Sequence, residues 1–282
     1  MRYPGGKSRL FRLLVAFIEA NDLKDGVYAE PYAGGAGAAL ALLFSERVER
    51  ILINDIDARV IAFWTDIINH TSRFLRKLEE TPVTLDEWDK QRKIYLNPKG
   101  YSKFNVGFAT FYLNRCNRSG ILTNAGPIGG RNQSGKWKID ARFNRPELIR
   151  RIMRVALYKE RIDVFNMDAI DFLRHEIINT GLGERCLVYL DPPYYVKGRK
   201  LYLNYYQHDD HAQLARFIKK QKAFKWILSY DNVLEIRKLY LGMNQVSFNL
   251  KYSAHEAKVG NELLVYDKEI KIPRKLRSLL QE

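Results

Sequence analysis

Leu187-Val188-Tyr189-Leu190-Asp191-Pro192-Pro193-Tyr194-Tyr195 reads as the end of a buried strand and the start of a site. Leu187 to Leu190 form a short apolar run of the kind a fully buried strand takes. Pro192 and Pro193 cannot donate to a ladder, so the strand stops at Asp191. A carboxylate, two prolines and two tyrosines therefore gather at a strand's carboxyl end, the edge of an open α/β sheet where ligands bind. The plain alternative is a strand followed by a proline turn with a capping aspartate.

Working outward, Val27 to Leu40 reads strand, glycine turn, helix, with Glu30-Pro31-Tyr32-Ala33-Gly34-Gly35-Ala36-Gly37 in the turn. Small residues there let a ligand lie against the backbone. Ile51-Leu52-Ile53-Asn54-Asp55-Ile56-Asp57 is a second apolar strand ending in an acid about 20 residues on, where nucleoside-binding α/β folds place a carboxylate for ribose hydroxyls. Asp55 is alternatively an N-cap for a helix beginning near Ala58. Ile162 to Asp168 is another strand ending in an acid, before a helix from Ile170 to Ile178. Trp226 to Tyr230 is the next strand. Gln245 to Leu250 and Glu262 to Tyr266 read as a closing hairpin around Lys251 to Asn261, whose lysines, Lys258 among them, can reach a polyanion. At the N-terminus, Tyr3-Pro4-Gly5-Gly6-Lys7-Ser8 is a turn before a helical pattern of Leu10, Leu13, Leu14, Phe17 and Ile18. It lacks the spacing of a P-loop lysine motif. Strands alternating with helices predict an α/β doubly wound mixed sheet.

The 282 residues suit one α/β domain with a sizeable insert, or two small domains, and 46% hydrophobic residues supply an ordinary core. A formal net charge of +15 favours a polyanionic partner, most simply nucleic acid, over a solvated basic or membrane-facing surface. Cys116 and Cys186 have no metal or redox spacing and imply a reducing, cytoplasmic setting. No apolar run approaches the ~18 residues of a membrane span, and no metal-ligand cluster is visible.

Residues 66–150 read as an insert. Its first part is helical in pattern, with Ile67, Ile68, Phe74, Leu75, Leu78, Trp88, Ile94 and Tyr95. Residues 104–144 are dense in Asn, Gly and Arg and read as loop-rich; Arg115, Asn117, Arg118 and Arg131 stand there, and such side chains read base edges or hold phosphates. Arg142, Arg145, Arg150, Arg151, Arg154, Lys159 and Arg161 form a basic stretch. Its helical part alternates with Leu148, Ile149, Ile152 and Val155, so Arg150, Arg151 and Arg154 form a candidate phosphate stripe.

Asp-Pro-Pro-Tyr resembles the catalytic motif of amino-methyltransferases. The order Tyr-Pro-Gly-Gly-Lys, Glu-Pro-Tyr-Ala-Gly-Gly-Ala-Gly, Asn-Asp-Ile-Asp, Asp-Pro-Pro-Tyr resembles the Dam-like (D12 class) DNA adenine-N6 methyltransferases over nearly the whole chain. The resemblance implies the S-adenosylmethionine-dependent methyltransferase fold, with core segments 1–65 and 151–282 and a mostly helical target-recognition insert, 66–150. It places Tyr3, Lys7, Asp55 and Asp191 around S-adenosylmethionine, with Glu30, Pro31, Tyr32, Ala33 and Gly34 supporting it. Asp168 accepts the cofactor's adenine amine, or only caps its helix, and Met167 covers the ring. The family often writes the glycine loop as aromatic-x-Gly-x-Gly; here Ala36 takes the second glycine place.

The residue types suit the chemistry. An adenine N6 amine is a poor nucleophile because its lone pair is delocalised into the ring. Asp191 and the Pro192 carbonyl can accept its two N–H groups and draw the nitrogen toward a tetrahedral shape. Pro192 and Pro193 hold that carbonyl in place, and Tyr194 stacks on the base. The amine of a duplex base is out of reach of an enclosed carboxylate, so base flipping is expected. The expected partner is double-stranded DNA, with no membrane and a monomer as the working state. A cognate restriction enzyme is compatible with this reading but not inferable from it. Two rivals stand beside it: a methyltransferase acting on RNA or a protein amide, and a non-catalytic DNA-binding protein that retains the fold.

Overall fold

In the computed structural model, which describes residues 7–196, 206–252, 258–274 and 276, the apolar runs become strands: β1 (Val27–Glu30), β2 (Arg50–Asn54), β3 (Ile162–Phe165), β4 (Cys186–Leu190), β5 (Lys225–Asp231), β6 (Asn244–Tyr252) and β7 (Lys258–Tyr266). They join one mixed sheet in the order β3-β2-β1-β4-β5-β7-β6. β1 pairs in parallel with β2 and with β4, and β4 with β5; β7 runs antiparallel to β5 and β6. Every residue of β1 and β4 is buried, as continuous apolar runs in a parallel sheet require. The expected doubly wound mixed sheet is present.

The chain divides into two units, one formed by Asp57–Val164 and the other by the described segments before and after it. The second unit holds most of the sheet with α1 (Lys7–Ala20), α2 (Gly37–Phe44), α8 (Ala169–Phe172), α9 (His208–Ile218) and α10 (Leu234–Leu239). A π-helical turn, Leu173–Ile178, continues α8. Leu13, Leu14, Phe17 and Ile18 form the buried face of α1.

The hairpin is longer than its apolar residues suggest. β6 and β7 pair out to Tyr252 opposite Lys258, so Lys251 and Asn261 belong to the ladder and not to a loop. Backbone hydrogen bonds carry the pairing through Lys251, Gly260 and Asn261, where no hydropathy pattern marks a strand.

The other unit is helical: α3 (Ala58–Asn69), α4 (Thr71–Glu80), α5 (Leu85–Leu96), α6 (Lys103–Cys116) and α7 (Arg145–Leu157). α6 corrects the reading of 104–144 as loop-rich, because its first third is the central helix of this unit. Phe104, Phe108, Phe111 and Tyr112 are buried, and Phe111 stacks on Phe63 of α3 at 5.7 Å between ring centroids. A helix apolar on all sides is a core helix. Ser102 starts it by accepting the Asn105 N–H at 3.2 Å. Gly107 lets α3 and α6 approach closely: a Cβ there would lie 2.4 Å from Asp66 Oδ2 and 2.7 Å from the Ala62 carbonyl carbon. Among the described residues, no helix is long and apolar enough to cross a membrane.

Candidate active site

From β1 the chain passes outward to β2 and β3, then returns to β4 on the other side of β1 and continues to β5. The strand order thus reverses between β1 and β4, and ligands of open α/β sheets bind at such a point, outside the strands' carboxyl ends. Ala29 lies opposite Val188, so Glu30-Pro31-Tyr32 and Asp191-Pro192-Pro193 leave the sheet side by side. Asp55 leaves β2 at the same edge, and Met167 and Asp168 follow β3.

Asp191 is held from β5. The Ser229 hydroxyl donates to Asp191 Oδ1 at 3.0 Å, and Ser229 Oγ lies 2.6 Å from the Tyr189 hydroxyl. Burial, and then the Asp191 carboxylate, push the Tyr189 phenol well above its ordinary range, so it stays protonated. Downstream, the Tyr194 hydroxyl donates to Glu262 Oε1 at 2.7 Å. The amides of Tyr195 and Val196 donate to the two oxygens of Asp231 at 2.9 and 3.0 Å. Both ends of the proline segment are therefore tied to neighbouring strands.

The loop after β1 is braced from two sides. Glu30 is buried, and its Oε1 accepts the Tyr28 hydroxyl at 3.0 Å and the Ala39 N–H of α2 at 3.1 Å. Pro31, Ala33 and Gly34 are buried and Tyr32 is half-buried, with its hydroxyl 2.7 Å from that of Tyr206. Gly34 has φ +46° and donates its N–H to Asp55 Oδ2 at 3.0 Å. Ala36, the residue that departs from the glycine pattern, has φ +44° and stands at the N-cap of α2. A non-glycine residue in this left-handed region costs about 1–2 kcal/mol, so the loop keeps a glycine-like conformation despite the substitution.

The helix after β2 is capped by Asp57, whose carboxylate accepts the Arg59 N–H at 3.0 Å. Asp55 is therefore not that cap. Asp168 does cap its helix: Oδ1 accepts the N–H of Ile170 at 2.8 Å and of Asp171 at 3.3 Å. It is also exposed, and lines a cavity of about 230 Å³ with Asp171, Arg174, Tyr206 and Asp210.

Sequence reasoning passed over Asn54. Fully buried, its amide donates to the Pro31 and Met167 carbonyls, each at 3.0 Å, and accepts the Met167 N–H at 2.9 Å. One side chain thus ties the exits of β1, β2 and β3. Its signals in the sequence are its place at the end of an apolar run and at the head of the Asn-Asp-Ile-Asp motif, neither of which names its partners. His211 was also missed. It is 1% exposed, its Nδ1 lies 2.8 Å from the Tyr230 hydroxyl, and its ring packs against Tyr195 and Tyr206. Burial lowers its pKa to about 4, opposed by Asp231.

Tyr3 lies outside the described residues, as do the side chains of Lys7 and Lys258. In the helical unit the expected DNA-contacting residues differ in kind. Asn117 is 1% exposed; its Oδ1 accepts the Trp88 indole N–H at 2.7 Å and its amide donates to the Ile121 carbonyl at 2.7 Å. It is a structural residue turned inward, which corrects its assignment to DNA. Arg115, on α6, donates from Nε to the Arg142 carbonyl at 2.7 Å. Arg131 pairs with Asp89 at 2.7 Å. The Arg118 side chain is exposed; its backbone N–H donates to the Gly126 carbonyl at 3.1 Å, and its guanidinium makes no hydrogen bond or ion pair among the described residues. Arg150, Arg151 and Arg154 are exposed on α7, and Arg150 and Arg151 share Glu147. Arg145 instead donates to the Leu78 and Thr81 carbonyls.

The sequence model of the D12 class N6 adenine-specific DNA methyltransferase family matches residues 3–255. The chain belongs to this family. Membership implies S-adenosylmethionine as the methyl donor. Among curated proteins, this D12 methyltransferase is 24% identical over 272 residues to the Type II methyltransferase M.MjaIII of Methanocaldococcus jannaschii, covering 86% of this chain and 88% of that protein. Among solved structures, it matches a SAM-dependent methyltransferase from Agrobacterium tumefaciens with TM-score 0.39 and 12% identity, over 93% of this chain and 62% of the other. The rRNA methyltransferase aviRa from Streptomyces viridochromogenes matches with TM-score 0.37 and 11% identity, over 94% of this chain and 86% of the other. Membership rests on the family match.

Proposed function

We infer that this D12 methyltransferase transfers a methyl group from S-adenosylmethionine to N6 of an adenine flipped out of double-stranded DNA at a specific site. The observation that carries this reading is the placement of Asp191: at the carboxyl end of β4, beside the glycine loop of β1, in a family of adenine methyltransferases. The donor set suits the cofactor. Asp55 offers a carboxylate to ribose hydroxyls beside a backbone held at Gly34, and exposed Asp168 beside half-buried Met167 suits an adenine with its amine. Tyr3 and Lys7 join them on the family pattern. Bound S-adenosylmethionine supplies an electrophilic methyl group on a sulfonium.

The chain's own residues prepare the nucleophile. Asp191 and the Pro192 carbonyl accept the amine's two N–H groups, which localises the nitrogen lone pair for in-line attack. Pro193 keeps the backbone from relaxing, and Tyr194 stacks on the flipped base. The helical segment 66–150 serves as the target-recognition insert, with Arg118 the foremost candidate for a base edge.

The test compares transfer of tritiated methyl groups to DNA, RNA and protein, followed by long-read sequencing of methylated DNA. N6-methyladenine in one sequence context is the expected product. Asp191→Ala should stay folded and lose about 3–4 kcal/mol of transition-state stabilisation, as when one preorganised donor is removed. A variant that keeps more than about a tenth of the wild-type rate rejects the assignment of Asp191.

A further inference from the structure

We propose that Ser229, backed by Tyr189, is a positioning residue that fixes the plane of the Asp191 carboxylate for the target amine. This rests on the functional reading of Asp191 given above. A serine hydroxyl has one proton, and Ser229 gives it to Asp191 Oδ1 at 3.0 Å. In the 2.6 Å contact between Ser229 and Tyr189, the tyrosine is therefore the donor. The relay runs in one direction, from Tyr189 through Ser229 to Asp191, and ends on the carboxylate. Tyr189 and Ser229 are each 3% exposed, so water does not compete for either hydroxyl.

The geometry comes from the sheet. Tyr189 and Asp191 are two residues apart along β4, so their side chains leave the same face. Leu190 lies opposite Leu228 on β5, and one residue on, Ser229 stands level with Asp191. Both members of the relay thus sit on central parallel strands, the most rigid support the fold offers. A carboxylate that must accept one particular N–H gains most from a fixed plane, because small misplacements of a reacting group cost large factors in rate. In the chain only Asp-Pro-Pro-Tyr shows; the serine that orients it lies 38 residues away, in a strand with no motif.

The experiment measures single-turnover transfer to duplex DNA at saturating S-adenosylmethionine for the wild type, Ser229→Ala, Ser229→Thr, Tyr189→Phe and the double variant Ser229→Ala/Tyr189→Phe. Cofactor affinity comes from calorimetry and DNA affinity from titration. Ser229→Ala should slow transfer by about 10- to 100-fold with both affinities held within about twofold. Ser229→Thr keeps the hydroxyl and should recover most of the rate. The double variant should be no slower than Ser229→Ala, because the relay is already cut. If Ser229→Ala fails to fold, Tyr189→Phe carries the test: slower transfer at unchanged affinities supports the relay, and an unchanged rate overturns it. A folded Ser229→Ala that keeps more than about a third of the wild-type rate, or a Ser229→Thr as slow as it, also overturns the proposal. A folded wild type that forms no N6-methyladenine is a different failure, and overturns the functional reading together with the relay built on it.

Discussion

Asp55 already commits one oxygen to the protein, since Oδ2 accepts the Gly34 N–H at 3.0 Å. A truncation to alanine would therefore disturb the glycine loop as well as any ligand contact. Asp55→Asn separates the two, because the amide oxygen can still accept from Gly34 while the charge is gone. If the carboxylate takes ribose hydroxyls, this variant should bind S-adenosylmethionine more weakly by roughly 1.5–3 kcal/mol, the worth of hydrogen bonds to a charged group. DNA affinity should stay near the wild-type value. Calorimetric titration of both ligands checks it, and an unchanged cofactor affinity makes Asp55 a brace for the loop and nothing more. The sequence left Asp55 open between ribose acceptor and helix cap. The cap is Asp57, two residues on, and only backbone geometry separates two aspartates so close in the chain. Asn54 was illegible for a related reason. A buried amide acts through the carbonyls of Pro31 and Met167, and neither partner is marked in the sequence.

Elements were legible where one physical rule governed them. The parallel strands are short apolar runs closed by turn residues; β2, β4 and β5 lie within a residue of their expected places, and β3 starts at Ile162 as expected but ends at Phe165, three residues before Asp168. α6 was not legible, because Asn, Gly and Arg after its end coloured the whole window, while the aromatics that bury it contact residues far off in the chain. Gly107 sits in that helix and gives a direct test. An alanine would gain about 1 kcal/mol of helix propensity, yet its Cβ would fall 2.8 Å from the Ala62 carbonyl oxygen and nearer still to Asp66. Overpacking against backbone should prevail, with a net loss of about 1–3 kcal/mol in urea unfolding. The docking of α9 gives a second. Burial holds the His211 pKa at about 4, below the unfolded value near 6.5. Above the unfolded value both states are neutral there and the contribution is constant. As pH falls from about 6.5 toward 4, the unfolded chain takes up a proton that the folded one refuses, so stability is lost, by up to roughly 3 kcal/mol. His211→Asn places an amide where Nδ1 meets Tyr230 and does not titrate. Its unfolding free energy should vary less steeply than the wild type's across that window, and parallel curves would remove His211 as a source of acid sensitivity.

At the scale of the whole molecule, a formal charge of +15 announces a polyanion without saying where it lies. The arginines of the helical unit divide by what their side chains meet. Arg115 donates to the Arg142 carbonyl and Arg131 pairs with Asp89 at the surface, whereas the Arg118 guanidinium is exposed with no hydrogen bond or ion pair among the described residues. Arg150 and Arg151 share Glu147 on the exposed face of α7, with Arg154 one turn on. Surface ion pairs of this kind are screened by water and salt and contribute little, so a phosphate can draw either arginine away. Arg150→Ala, Arg151→Ala and Arg154→Ala should therefore weaken binding to every duplex alike, each lowering the slope of log affinity against log salt by about 1. Arg118→Ala should cost about 1–3 kcal/mol on the methylated sequence and little on a scrambled one, since a base edge is read only where the base is present. Titrations of the four variants on both duplexes over a salt series distinguish the two behaviours. A uniform loss in Arg118→Ala would make it one more phosphate contact, and the reading of bases would have to be sought first in the segment that joins β6 to β7.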